Sequence, residues 1–319
     1  MRVLITGGFG YLGGRLALFL AEQAEYDILL GGRSPVRSVD WLPQATPVQT
    51  DWQSVPSLER ICAGVDAVVH LSGMNAQDCA ADPAAALEVN GGHTAKLLRA
   101  ADRQGVKRFI YLSSAHVYGS PLQGTITEDT HRDAMHPYAT SCLAGEDEVR
   151  AAQVRGDVEG VVIRLSNGYG APVHVEADCW TLLVNDLCRQ AATAGRMELR
   201  SSGLQRRDFI PLEDACRAID HLLQLRPHDL GQVFFNLGGQ WAPTVWDMAC
   251  LVQQRCEVVL AVQPLLTRAT PRSDEVSEEL DYRVDALIRS GFEPNANKVS
   301  EIDRLLEFCR ASFRVACSH

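Results

Sequence analysis

Arg2-Val-Leu-Ile-Thr6 runs straight into Gly7-Gly-Phe-Gly10-Tyr-Leu-Gly13, and an amphipathic stretch follows from Tyr11. A short apolar strand that meets glycines and then a helix answers one demanding physical requirement. The turn is too tight for side chains, the backbone must come close to a pyrophosphate, and the free N–H groups at the helix start face that anion. A glycine string alone is weak evidence, but its place between a first strand and a first helix makes it specific. Gly7, Gly10, Tyr11, Leu12 and Gly13 are therefore the expected cradle of a dinucleotide.

Beyond this loop, short apolar runs take turns with amphipathic stretches. Strands are expected at 26–30, 46–50, 66–71, 106–113 and 159–164, and helices at 11–23, 84–104 and 136–155. Strand and helix periods that alternate in this way argue for a parallel sheet covered on both faces. The expected class is α/β, a Rossmann-type doubly wound parallel sheet with a smaller, loop-rich C-terminal substrate domain. Residues 1–165 form the first unit; residues 166–319 are mainly the second, interleaved, with a segment near 209–240 returning to the first. Past Asn167 the rhythm loosens around Trp180, Trp241, Trp246 and several prolines, with helices expected at 179–193, 214–225 and 300–313.

The composition narrows the function. With 319 residues, 46% hydrophobic and 22% charged, the chain buries a core without cross-links, which excludes disordered, collagen-like and coiled-coil classes. A net charge of −10 has the wrong sign for wrapping nucleic acid. No run approaches the roughly 18 apolar residues that cross a bilayer, so a cytoplasmic protein with no membrane partner is expected. Ten cysteines are scattered with no C-x-x-C pair, which reads as free thiols and no metal site. Lys96, Lys107 and Lys298 are the only lysines among 30 basic residues.

The end of the second strand selects the cofactor. An acid there binds the ribose 2′-hydroxyl of NAD, and a basic group accommodates the 2′-phosphate of NADP. Here the strand ends in Gly31-Gly-Arg33-Ser34 with no carboxylate. Arg33 and Ser34, with Arg37, suit a phosphate, so NADP(H) is favoured over NAD(H); the alternative is a solvated surface arginine. Asp51, after the third strand, is placed either to meet the adenine amine or to serve a turn.

Six motifs extend the reading: Thr6-Gly-Gly-Phe-Gly-Tyr-Leu-Gly13, Val69-His-Leu-Ser72, Ser113-Ser-Ala-His-Val-Tyr-Gly119, Tyr138-Ala-Thr-Ser141, Arg164-Leu-Ser-Asn-Gly-Tyr-Gly170 and Arg207-Asp-Phe-Ile-Pro-Leu-Glu-Asp214. Together they span nearly the whole chain, which resembles the extended short-chain dehydrogenase/reductase family of NAD(P)-dependent sugar-nucleotide epimerases and dehydratases. The resemblance implies that Ser114 and Tyr138 sit beside the reacting carbinol or carbonyl while hydride passes to or from a nicotinamide, and that Leu71 and the segment from Tyr138 touch the cofactor. The family's lysine four residues after the tyrosine falls on Cys142, so the Y-x-x-x-K signature is broken. A tyrosine near pKa 10 is only about one part in a thousand ionised at pH 7, and a neutral thiol does not stabilise its phenolate. Oxidation, which needs a base, suffers most, whereas reduction needs only a proton donor.

In the family's dehydratases two acids occupy the positions of Ala115 and His116, so a dehydratase of that kind is not expected. His116 carries an imidazole suited to proton transfer, or is an ordinary polar residue. The resemblance also implies that Asn167 and Arg206 or Arg207 bind the substrate diphosphate, unless either arginine braces Asp208, and that Arg283 reaches the substrate. A homodimer through the helices at 84–104 and 136–155 is implied as well. The expected function is an NAD(P)-dependent epimerase or reductase acting on a nucleotide-activated sugar or related keto metabolite. Two alternatives stand beside it: an enol-type epimerase using His116, and an impaired pseudoenzyme that binds nucleotide as a sensor or partner subunit.

Overall fold

Seven parallel strands form the central sheet: β1 (Arg2–Thr6), β2 (Asp27–Gly32), β3 (Thr46–Gln49), β4 (Ala67–His70), β5 (Arg108–Ser114), β6 (Glu159–Leu165) and β7 (Phe234–Leu237). The computed structural model describes residues 1–34 and 38–313. Across the sheet the strands lie in the order 3-2-1-4-5-6-7, with Val3 in register with Ile28 on one side and Ala67 on the other. The chain reverses direction between β1 and β4, and in such sheets ligands bind outside the carboxyl ends of the strands at that switch. Thr6, His70 and Ser114 all end strands on this edge. The doubly wound class expected from the sequence is the one observed.

Both faces of the sheet are covered, so its inner strands are largely apolar rather than alternating, while the edge strand β3 is exposed at Thr46 and Gln49. Val3 and Ile5 pack with helix α1 (Tyr11–Ala21) and with Ile219 and Leu222 of the helix Leu212–Gln224. Leu4 turns to the opposite face, with Phe109, with Leu97 and Leu98 of the helix His93–Arg103, and with Val149 of the helix Pro137–Arg155. A further core gathers the helices Leu183–Ala194, Val245–Leu260 and Lys298–Ser312 around Leu187, Met248, Val252 and Leu305. Short parallel strand pairs, among them Asn167–Tyr169 with Phe209–Pro211, join this part to the sheet. None of the described helices is long and apolar enough to cross a membrane. The nine cysteines among the described residues are unpaired.

Two stretches depart from the sequence reading. The helix expected over 84–104 is interrupted by a π-helical turn at Leu87–Gly92. A side chain added at Gly91 would stand 2.9 Å from the Cβ of Ala144, and one at Gly145 would stand 2.7 Å from the Asn90 carbonyl. The two helices therefore meet closely at paired glycines, and the wide turn lets Asn90 donate to Ser141 Oγ at 2.8 Å. The helix Val245–Leu260 falls in a region read as irregular. Its signal was the spacing of Thr244 and Asp247, which form a reciprocal capping box.

Candidate active site

The glycine loop is built for close backbone approach. Gly7 has φ +69°, and a Cβ there would lie 2.9 Å from the backbone of Leu71 and Ser72, so Leu71 forms the wall against which the loop turns. A Cβ on Gly13 would lie 2.1 Å from the Gly7 carbonyl oxygen. Gly10 N–H donates to that same oxygen at 2.9 Å, closing the turn just before α1. Leu12 is buried, and the Tyr11 hydroxyl donates to the Gly170 carbonyl at 2.9 Å, so both side chains face protein. What remains is a side-chain-free cradle at a helix N-terminus, which fits the pyrophosphate of a dinucleotide. Gly13→Ala is expected to displace Gly7 and weaken dinucleotide binding about 5–150-fold, on an overpacking cost of roughly 1–3 kcal/mol; calorimetric titration reads it.

At the end of β2, Arg33 and Ser34 are exposed, and the Arg33 guanidinium makes no ion pair among the described residues. Its carbonyl accepts from Gln49 Nε2 at 3.2 Å, which anchors the backbone and leaves the side chain available. Arg37 lies outside the described residues. Asp51 accepts from Gln53 N at 3.1 Å, a turn contact that leaves its second carboxylate oxygen open.

Ser114, Tyr138, Cys142 and His116 come together beyond the end of β5. Ser114 closes the strand, and its Oγ accepts from His116 N at 3.3 Å, starting a short 3₁₀ turn. Tyr138 stands in the first turn of Pro137–Arg155, where proline suits the opening position and His136 caps the helix, its Nδ1 accepting from Tyr138 N at 3.1 Å. The half-buried phenol lies beside the Ser114 hydroxyl and, one helical turn on, the buried Cys142 thiol. Cys142 first and burial second push the Tyr138 phenol far up from its ordinary value, with Ser114 opposing. Burial, then Glu146, push the Cys142 thiol up as well. Phenolate and thiolate would repel in a desolvated place, so both groups keep their protons at neutral pH.

His116 presents its ring edge-on to Tyr138 with centroids 6.3 Å apart. Solvent reaches it, yet protein hems it in, and this crowding, then Arg207 and His136, hold its pKa below the ordinary histidine value. The neutral imidazole is the form present at pH 7.

Beneath these groups runs a buried ion pair that the sequence reading did not single out. Glu146, one further turn along the helix face that carries Tyr138 and Cys142, accepts from Arg164 at 2.9 and 2.7 Å and from Ser113 Oγ at 2.6 Å. Arg164 also donates to the Tyr118 hydroxyl at 2.7 Å, which in turn donates to Asn236 at 2.6 Å. The pair therefore ties the helix of Tyr138 to the strands on either side and fixes where the phenol stands relative to Ser114. The i, i+4, i+8 spacing of Tyr138, Cys142 and Glu146 was its signal in the sequence.

The residues assigned to substrate divide into free and engaged. Asp208 is buried and satisfied by Ser166 Oγ at 2.6 Å, Gly239 N at 2.9 Å and Trp241 N at 3.0 Å, so neither neighbouring arginine braces it. Asn167 Nδ2 donates to the Asp208 carbonyl at 2.9 Å. Arg206 is held by the Ala242 carbonyl at 3.0 Å and by Glu279 at 3.3 Å. Arg283 is engaged with Asp285 at 3.0 Å and Asp281 at 3.6 Å. Of these three arginines only Arg207 has no carboxylate partner among the described residues; it is exposed, and the protein around it holds its pKa below the ordinary arginine value.

Residues 3–238 match the model of the NAD dependent epimerase/dehydratase family. UDP-glucose 4-epimerase 3 of Oryza sativa subsp. japonica is 27% identical over 281 residues, covering 77% of this chain and 74% of its own. Among solved structures, MoeE5 in complex with UDP-glucuronic acid and NAD shares the fold at TM-score 0.80 and 23% identity over 98% of this chain and 100% of that one. RMD from Pseudomonas aeruginosa complexed with NADPH shares it at TM-score 0.77 and 22% identity over 97% and 99%.

Proposed function

The chain belongs to the NAD dependent epimerase/dehydratase family, and on that premise we propose that it reduces a ketone on a nucleotide-activated sugar, with NADPH preferred. The observation that carries this reading is the Tyr138–Ser114–Cys142 cluster, in which the phenol keeps its proton. When bound, the reduced nicotinamide supplies a hydride to the carbonyl carbon. Gly7, Gly10 and Gly13, with the backbone of Tyr11 and Leu12, would hold its pyrophosphate; Arg33 and Ser34 would take the 2′-phosphate; Leu71 and Cys142 would line the nicotinamide side.

The chain's own residues then have distinct tasks. Ser114 donates a hydrogen bond to the carbonyl oxygen and orients it toward Tyr138. Tyr138 delivers the proton that the oxygen requires as the carbon is reduced, a role suited to a phenol that resists ionisation. The reverse reaction would need Tyr138 as a phenolate, which Cys142 and burial oppose. Arg207 supplies an unpaired guanidinium for the substrate diphosphate, with Asn167 beside it. The complexes of MoeE5 with UDP-glucuronic acid and NAD, and of RMD with NADPH, support the substrate and cofactor classes. A homodimer through the helices His93–Arg103 and Pro137–Arg155 belongs to the same reading.

Calorimetric titration with NADPH, NADP+, NADH and NAD+, followed by NADPH consumption with nucleotide-bound 4-keto-hexoses, tests the proposal. Tight NADPH binding and turnover are expected; binding of no dinucleotide would contradict it. Arg33→Ala is expected to weaken NADPH about 10–100-fold, the loss of a charge-assisted contact of roughly 1.5–3 kcal/mol, and to leave NADH unchanged. Equal losses for both cofactors would remove Arg33 from the 2′-phosphate.

A further inference from the structure

We propose that Phe9 is a specificity-determining residue: its ring fills the space at the end of β2 where an acid would hold the ribose 2′-hydroxyl of NAD, so the chain withholds that contact and selects the 2′-phosphate of NADP. The inference rests on the reading of Arg33 as the phosphate's partner. The first observation lies at Gly32, the last residue of β2. A Cβ built there would stand 2.7 Å from Phe9 Cδ2 and 2.9 Å from Cε2, closer than such carbons approach without something shifting. Phe9 supplies all three of the nearest atoms, the third already 3.8 Å away, so its ring alone bars a side chain at this position. The backbone makes no such demand, because Gly32 lies outside the left-handed region and would accept any residue.

The ring is held where it is. It is half-buried against the core between α1 and the sheet, and Trp41 stands edge-on to it with centroids 6.4 Å apart. Trp41 packs in turn against the His174 ring at 6.3 Å, and His174 Nε2 donates to the Phe9 carbonyl at 2.9 Å. Residue 9 is therefore fixed twice, by its ring through Trp41 and by its backbone through His174. Gly32 is fixed as well, its carbonyl accepting from Thr50 N at 2.8 Å, while Gly8 N donates to the Gly31 carbonyl at 3.0 Å. The glycine loop and the end of β2 are thus joined at a set spacing, which has room for one side chain.

The consequence for recognition is chemical. A carboxylate at the end of the second strand accepts a hydrogen bond from the 2′-hydroxyl of NAD, and a charged acceptor makes that bond roughly twice as strong as a neutral one. With Phe9 in its space, the chain offers no carboxylate there. One residue beyond, the exposed Arg33 has no ion-pair partner among the described residues and carries the forked charge that a phosphate takes. Specificity is a difference of two affinities. Arg33 supplies the attraction for one cofactor, and Phe9 removes the acceptor for the other.

The test is a reversal of sign. In the full-length protein, Gly32→Asp alone is expected to weaken NADH about 5–150-fold, the range of an overpacked side chain. Placed on Phe9→Ala, the same Gly32→Asp is expected to tighten NADH about 10–150-fold over Phe9→Ala alone, the range of a hydrogen bond to a charged group, and to weaken NADPH. Calorimetric titration reads both. A second comparison needs no cofactor: Gly32→Ala should lower the denaturant midpoint of the protein that keeps Phe9 and raise that of Phe9→Ala, where alanine is the better strand residue. Gly32→Asp that tightens NADH with Phe9 present, or fails to tighten it once Phe9 is replaced, would overturn the proposal, as would equal midpoint shifts for Gly32→Ala in the two backgrounds. Both reversals in a protein whose wild type binds NADH more tightly than NADPH would uphold the exclusion of an acid by Phe9 and overturn the NADPH reading instead.

Discussion

Tyr138→Phe is expected to lower ketone reduction by about 10²–10⁴-fold while NADPH binds as in wild type. The magnitude is that of a positioned general acid removed from a reaction that needs one. The binding expectation follows from the position of the hydroxyl, which lies beside Ser114 and Cys142 at the end of β5 rather than at the glycine cradle. The pH dependence of wild type should agree. A phenol whose pKa is raised loses its donor form only above the ordinary tyrosine value of about 10, so the reduction rate should carry no alkaline limb from Tyr138 through about pH 9. Full turnover in Tyr138→Phe would remove this residue from the chemistry.

Arg164→Met is expected to cost about 3 kcal/mol of stability, because it leaves the fully buried Glu146 carboxylate with only the half-exposed Arg132, 3.8 Å away, as a cation. Ser113 Oγ still donates to Glu146, but one neutral donor does not replace a bidentate guanidinium. The double variant Arg164→Met with Glu146→Leu should recover much of the loss, since burying neither charge removes the desolvation penalty. Denaturant midpoints of the three variants and wild type measure both effects. A cost below about 1 kcal/mol for Arg164→Met would show that the pair does not hold the helix of Tyr138 against the sheet.

Much of this was legible in the sequence, for physical reasons that can be named. The glycine loop declared itself because Gly7 and Gly13 face backbone that no side chain tolerates, and such positions leave glycine as a visible mark. The inner strands were readable because both faces of the sheet are covered, which makes β1 and β4 nearly unbroken apolar runs. The π turn at Leu87–Gly92 was not, since its cause is the approach of Ala144 and Gly145 from a helix some fifty residues away. The Glu146–Arg164 pair escaped notice because a glutamate on a helix looks solvated until the fold buries it. The engagement of Arg206 likewise depends on Glu279, seventy-three residues on, reaching it, which spacing alone does not reveal. At Tyr138 and Cys142 the four-residue spacing was enough, because one helical turn fixes their contact in advance.

Cys142→Lys tests most directly the claim that the thiol holds Tyr138 as a neutral acid. A cation one turn from the phenol stabilises its phenolate, and an opposite charge at such range lowers a pKa by roughly one to three units. Rates of alcohol oxidation with NADP+ and of ketone reduction with NADPH should be measured on the same substrate pair at pH 7, in wild type and in Cys142→Lys. The predicted result is an oxidation rate raised at least about tenfold with a smaller change in reduction. Oxidation unchanged, or falling together with reduction in a protein that melts like wild type, would contradict the account.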